Sequence, residues 1–347
     1  MTLQDKLAAS GAVFGSYRGA ETPVSFGDPA AEFRALLEGC GLYDMSWQAK
    51  LVLTGEDRVR WLNGMVTNNV RDLVVSHSVY CFVLTAQGRI VADLVAYNRG
   101  DYLLVTSERT QAAAITEMFD RYIIMDDVEV ADVSDKLSAV GVAGPRAARV
   151  LQQSGIDVTP FEPGQVADLV WRGIGISVAR STHPNWQGYE IWFAAEHTLT
   201  VWDDLTSTGA TAVGSDALEW YRIARGVPRY GLDISQRDLP QETEQKHALS
   251  FTKGCYIGQE IVERIRARAI LHRTFTGFLV EGEPQVHTKI KDGERNIGET
   301  TSAARLPFPD GERTVALGYL RRESAAPGTR VQIGEQQATV QSIPFPF

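Results

Sequence analysis

Residues 251–263 read FTKGCYIGQEIVE. Gly254 and Gly258 flank Cys255 and permit tight backbone turns around it. The run from Gln259 to Arg268 has the composition of a helix, with Glu260 well placed in its first turn. The stretch is therefore a loop that delivers a thiol just ahead of a helix. Lys253 and the helix N-terminus would each favour thiolate over thiol, which makes Cys255 a candidate reactive or metal-handling sulfur. A buried structural cysteine is the competing reading, because free cysteines are among the most buried residue types. Local spacing leaves both open.

Upstream of this loop, strand and helix signals alternate irregularly. Arg89 to Thr106 predicts strand, turn and strand: IVADLVAY, a turn at Asn98-Arg99-Gly100-Asp101, then YLLVT. Ser107 is a candidate cap for the next helix, whose apolar stripe Ile115, Met118, Phe119, Tyr122 and Ile123 follows the helical period. LSAVGVAG, Pro145 and AARVLQQ give a second strand-to-helix step. Asp216 and Glu219 resemble a capping box for a helix that stops near Gly226. Met1 to Gly15 reads as a first helix and not as a secretory signal. After Arg273 the pattern changes to short alternating runs (TFTGFLVEG, TVALGYL, TRVQIG, ATVQSIPF) separated by Gly, Pro and Asp, which predicts a small all-β barrel or sandwich. The fold class is thus α+β, followed by a β domain.

Composition narrows the function. The 347 residues carry 34 Lys and Arg against 43 Asp and Glu, a formal charge of −9 that argues against a nucleic-acid-coating protein. No apolar run approaches the ~20 residues of a membrane span. Cys40, Cys81 and Cys255 are odd in number and widely spaced, forming neither a CxxC pair nor a disulfide framework, so a reducing, cytoplasmic setting is expected. The six histidines show no HExxH or i, i+4 spacing, and no metal site is expected. GxGxxG and GxxxxGK[ST] motifs are absent. Trp186, Trp192 and Trp202 read as packing residues. Arg264, Arg266 and Arg268, with Arg273 beyond, form a basic cluster that is ordinarily a solvated face but is also suited to polyglutamate or an acidic partner.

The octet KGCYIGQE resembles the signature of the YgfZ family of folate-binding proteins, within the superfamily of the glycine-cleavage T-protein, an aminomethyltransferase. Weaker similarities lie in the same order along most of the chain: GLYDMSWQAKLVLTGEDRVRWLNGMVTNNV, VLTAQGRIVADLVAY, QGYEIWF and YRIARGVPRYGLDI. The resemblance implies two interleaved folate-binding α+β domains in a ring-like arrangement plus a C-terminal all-β barrel. The boundaries it suggests are 1–46 with 135–226 for the first unit, 47–134 with 227–272 for the second, which carries the octet, and 273–347 for the barrel. It also implies a tetrahydrofolate-binding accessory protein that supports iron–sulfur cluster assembly or repair, with iron–sulfur client or assembly proteins as partners and Cys255 as reactive thiol. The alternative is a tetrahydrofolate-dependent aminomethyl- or methyltransferase, or a demethylase. Neither nucleic acid nor membrane is an expected partner.

The same resemblance assigns residues. Cys255 and Lys253 are the candidate catalytic pair. Glu190, in the Tyr189-Glu190-Ile191 strand, would accept the adjacent N–H donors of a pterin edge. Tyr80 would wall a flat heterocycle. Arg222, or Arg225 beside it, would reach the glutamate tail, with ordinary salt-bridge duty as the alternative. Asp93, Tyr256 and Gln259 complete the folate-binding set. The aminomethyltransferase pattern GGxxDDL carries two adjacent acids, the first catalytic, whereas this chain reads Gly88-Arg89-Ile90-Val91-Ala92-Asp93-Leu94. The expectation is that Ala92, unable to handle a proton, abolishes the ordinary transfer and leaves folate binding. Leu218 stands where the superfamily has an arginine, which weakens the transfer of its tail contacts.

Overall fold

The structure, a computed structural model, describes residues 3–268, 271–283 and 286–346; residues 1 and 347, the outer limits of the predicted units, lie outside them. Two antiparallel-rich sheets interleave along the chain. The six-stranded sheet has the spatial order Val166–Trp171, Ile174–Arg180, Gly188–Ala194, Leu137–Ala143, Gly41–Asp44, Thr211–Ala212, and only its last pair is parallel. The five-stranded sheet runs His77–Leu84, Ile90–Asn98, Leu103–Glu108, Gln48–Thr54, Glu129–Asp132, antiparallel throughout. The chain leaves the first sheet at Asp44, builds the whole of the second, and returns at Leu137. A main-chain bond from Val166 N–H to the Ser76 carbonyl, where the chain enters His77–Leu84, stitches the two sheets together.

Strand alternation decides what each sheet face does. In Ile90–Asn98, residues 90, 92, 94 and 96 are buried while 91, 93 and 95 are partly open. Ala92, Leu94 and Ala96 join Cys81, Val83, Leu103 and Val105 in a core covered by the helices Arg58–Met65 and Arg109–Tyr122. The predicted stripe supplies Ile115, Met118 and Phe119 to that core, whereas Tyr122 is exposed. The opposite face of the sheet, with Tyr80, Asp93, Val95 and Tyr97, looks toward the six-stranded sheet.

Strands from Arg273 to Gln341 close into a six-stranded barrel, as the short alternating runs predicted. It docks through Phe275, Leu306, Phe308 and Tyr319 onto a core that also holds Phe33, Leu36, Tyr43, Tyr97 and Trp192. The fold class read from the residues is the one found. Three local expectations are corrected. The first helix is only Leu3–Ala9, and Val13–Tyr17 is already a strand. Ser107 does not cap its helix; its hydroxyl donates to the Asp93 carbonyl at 2.7 Å, and Glu108 holds the cap position. The expected capping box at Asp216 and Glu219 is absent: Ser215–Ala224 has Gly214, which has no side chain, at its cap, and Glu219 is engaged in ion pairs.

Candidate functional site

A cavity lies between the facing sheets, closed on the barrel side by the helix Ser215–Ala224 and the segment after it. Glu190 reaches it from Gly188–Ala194, whose alternation buries Tyr189 and Ile191 and turns Glu190 inward. Glu190 Oε2 accepts from Gln48 Nε2 at 2.6 Å, and Gln48 Oε1 accepts from the indole of Trp192 at 3.1 Å. The amide of Gln48 is thereby fixed, and with it the carboxylate. Burial raises the Glu190 carboxyl above its ordinary range, opposed by the Gln48 bond and the Lys50 charge. Tyr43, Tyr80, Tyr97, Trp47 and Trp186 give the cavity aromatic walls. Tyr97 meets Trp192 edge-on at 4.8 Å.

Asp93 is the second cavity carboxylate. Its Oδ2 accepts from the Tyr80 hydroxyl at 2.7 Å and its Oδ1 from Gln111 Nε2 at 2.8 Å. Burial raises its pKa, with those two bonds acting the other way. Ala92, one residue earlier, points into the hydrocarbon core and is fully buried. Of two adjacent strand residues only one can face the cavity, and here that one keeps its acid. The expectation that Ala92 removes the carboxylate needed for transfer is therefore corrected: an acid at position 92 would enter the core, not the site.

The rest of the wall is built by residues that local sequence signals do not mark. Arg18 and Gly19 form a two-residue turn with φ of 50° and 87°, joining Val13–Tyr17 to Ala20–Ser25. This turn lifts the Arg18 guanidinium over the rings of Tyr17 and Trp47 at 4.9 and 4.6 Å. Arg18 pairs with Glu108 at 3.0 Å, and Arg229 with Glu108 and Glu219 at 3.3 and 3.2 Å. These cations, with Arg222, hold the Glu219 carboxyl at about 2 against its burial. His183 also lines the cavity, its ring bonded to Gln245 and to the Asn185 N–H. His247 stacks on Tyr80 at 5.2 Å and meets His183 edge-on at 4.9 Å. Burial keeps both rings neutral, with values lowered to about 3 for His183 and about 4 for His247. Nothing in local spacing flags these residues, which come from segments far apart in the chain.

Arg222 forms part of the cavity wall, yet its guanidinium is spent on Glu219, Asp233 and Ser302 at 2.8, 2.5 and 2.7 Å. It ties its helix to the barrel, which is the salt-bridge duty weighed above. Arg225 donates to the Asn185 carbonyl at 2.6 Å.

The octet sits apart from the cavity lining. Lys253 is buried, and its ammonium donates to the carbonyls of Asn63, Val66 and Asn68 at 2.5, 2.6 and 2.6 Å, closing the end of the helix Arg58–Met65. Burial lowers its pKa to about 8, and the nearby Arg71 charge acts in the same direction. The expected pairing of Lys253 with Cys255 is thus corrected: this lysine is an internal clamp. Cys255 itself is exposed, which sets aside the buried-cysteine reading. Tyr256 is buried beside Phe82, Leu84 and Ile90, further along the sheet face that carries Tyr80. Gln259 opens the helix Gln259–Arg268, its N–H on the Tyr256 carbonyl. Gly258 is required by contact: at φ 81°, a Cβ would stand 2.6 Å from the Thr85 carbonyl oxygen. Within the basic cluster, Arg264 and Arg266 pair with Glu260 and Glu263, and Arg273 with Asp238 and Glu242. Among the described residues no group of three or more His, Cys, Asp or Glu side chains could hold a metal, and no helix is long and apolar enough to cross a membrane.

Comparison with known proteins bears on this arrangement. The profile of the family described as the GCVT N-terminal domain matches residues 3–253. An aminomethyltransferase of Bacillus cytotoxicus is 27% identical over 349 residues, covering 95% of this chain and 93% of the relative. One from Rubrobacter xylanophilus is 27% identical over 357 residues, covering 99% and 93%. The crystal structure of the glycine cleavage system aminomethyltransferase T from Bartonella henselae superposes with a TM-score of 0.88 at 21% identity, covering 100% of this chain and 97% of that one, a likeness of fold.

Proposed function

The chain belongs to the family of the GCVT N-terminal domain, whose aminomethyltransferases act with tetrahydrofolate, and from that premise we propose that it is a tetrahydrofolate-dependent aminomethyl- or methyltransferase. The observation that carries the reading is the pair of cavity carboxylates, Glu190 and Asp93, set among aromatic walls. This donor set fits a pterin: a flat ring needs apolar faces, and its adjacent N–H groups need an acceptor. Glu190, held by Gln48, takes those donors. Tyr80, Tyr97 and Trp186 exclude water from the ring faces. Bound there, tetrahydrofolate supplies the nitrogens that exchange the one-carbon unit. Asp93 holds or releases a proton at its carboxylate beside the transfer, and its burial favours the protonated form relative to an exposed aspartate. Tyr80 and Gln111 fix its orientation. Conversion of tetrahydrofolate to a methylene or methyl form with a panel of small amine donors tests the reading. Turnover in the wild type that is lost in Asp93→Asn supports it; tight folate binding without turnover on any donor sinks it.

A second reading rests on Cys255. The KGCYIGQE loop is clamped by Lys253 and Gly258 while its thiol stands open to solvent. In this reading the chain belongs with the YgfZ proteins and is a folate-binding accessory for iron–sulfur cluster assembly or repair, with cluster proteins as partners. Failure of Cys255→Ser to restore cluster-enzyme activity in a deletion strain, with folate affinity intact, supports it. Full restoration removes the thiol from the function.

A further inference from the structure

A larger hollow, about 790 Å³, lies outside the folate cavity on the barrel wall. Arg237, Arg273, Lys289, Arg321 and Arg322 line it, in a chain whose formal charge is −9. The acids present do not neutralise them evenly. Glu299 is engaged by Lys289 at 2.6 Å and by Arg237 at 3.9 Å. Arg273 lies between Asp238 and Glu242 at 2.6 and 2.8 Å. Glu323 is taken by Arg295, which is not part of the lining, at 2.8 Å. Arg321 and Arg322, both exposed, are left without an ion pair among the described residues. The ladder sharpens this imbalance, since Arg321 stands directly opposite Arg273 and like charges so placed repel. Tyr319, opposite Glu299 on the next ladder, also lines the hollow. It is buried, and its hydroxyl has no partner among the described residues.

We propose that this hollow binds a small polyanion bearing carboxylate or phosphate groups. The guanidinium forks of Arg321 and Arg322 match the paired oxygens of either group, and the Tyr319 hydroxyl offers a further donor. The site is separate from the folate cavity: the Thr301 hydroxyl, on the hollow side, donates to Asp233, whose other oxygen takes Arg222 on the cavity side.

Calorimetric titration of the full chain with inorganic pyrophosphate and, separately, with citrate tests the proposal. Saturable one-to-one binding of at least one is expected, weakened about tenfold by Arg321→Gln, more by adding Arg322→Gln, and less by the charge-keeping Arg321→Lys. Preference for pyrophosphate assigns phosphate chemistry, and preference for citrate assigns carboxylate. Saturating tetrahydrofolate should leave the affinity unchanged. Absence of saturable binding for both probes, an unaltered affinity in the double variant, or displacement by tetrahydrofolate would each overturn it.

Discussion

Replacing Lys253 by methionine removes three donors while keeping side-chain length. The carbonyls of Asn63, Val66 and Asn68 would then face a thioether. Charge-assisted bonds are worth ~1.5–3 kcal/mol each, so the gross loss is ~4–9 kcal/mol. Against this, burial lowers the lysine from 10.5 to about 8, a penalty on the ammonium of ~3 kcal/mol that the variant escapes. The net cost is therefore ~1–6 kcal/mol, concentrated where the helix Arg58–Met65 meets the octet. Urea unfolding together with amide exchange over residues 63–70 measures it. If Lys253 is a clamp and not an activator, Cys255 in the native variant should alkylate within about twofold of the wild-type rate. A stability change below ~1 kcal/mol, or a collapse of thiol reactivity with the fold intact, would refute the reasoning.

Three further outcomes follow from the same geometry. His183 and His247 are held neutral when folded, at about 3 and about 4, but titrate near their ordinary 6.5 when unfolded. The unfolded chain therefore binds more protons between pH 6.5 and about 4, so the stability present above pH 6.5 is lost as pH falls through that window. The slope is up to ~1.4 kcal/mol per unit for each ring, and urea midpoints at stepped pH should show it, less steeply in His247→Phe; a flat profile contradicts it. Ala92→Asp should destabilise by ~3 kcal/mol or more, because the carboxylate enters the core, and should not raise turnover; a stable variant with higher turnover would place the catalytic acid at 92. Gly258→Ala should cost ~1–3 kcal/mol in thermal unfolding, since its Cβ collides with the Thr85 carbonyl at a left-handed φ; a neutral effect would mean the hairpin yields freely.

Strong local signals in the sequence translated into structure. The Asn98–Asp101 turn, the stripe through Ile115 and Phe119, and the short runs after Arg273 became a hairpin, a core helix and a closed barrel. Local signals failed where tertiary partners outbid them. Ser107 bonds the neighbouring strand Ile90–Asn98 instead of capping, and Glu219 answers to Arg18, Arg222 and Arg229 rather than to its own helix end. The site was half legible. Glu190, Tyr80 and Asp93 were found through family motifs and line one cavity. Arg18, Glu108, His183 and Arg229 come from four separate segments, and only the fold brings them together. The adjacency of Ala92 and Asp93 misled because one-residue spacing in a strand reverses the side chain, and which face meets the cavity is decided by the sheet.

Acceptance of a pterin on Glu190, in the cavity between the sheets, is tested most directly by calorimetric titration with tetrahydrofolate of the wild type, Glu190→Gln and Glu190→Ala. One-to-one binding is expected in the wild type, weakened about tenfold to a hundredfold in both variants, because the carboxylate accepts two donors where an amide or methyl accepts fewer. Wild-type affinity in both variants, or no binding by the wild type, would contradict it.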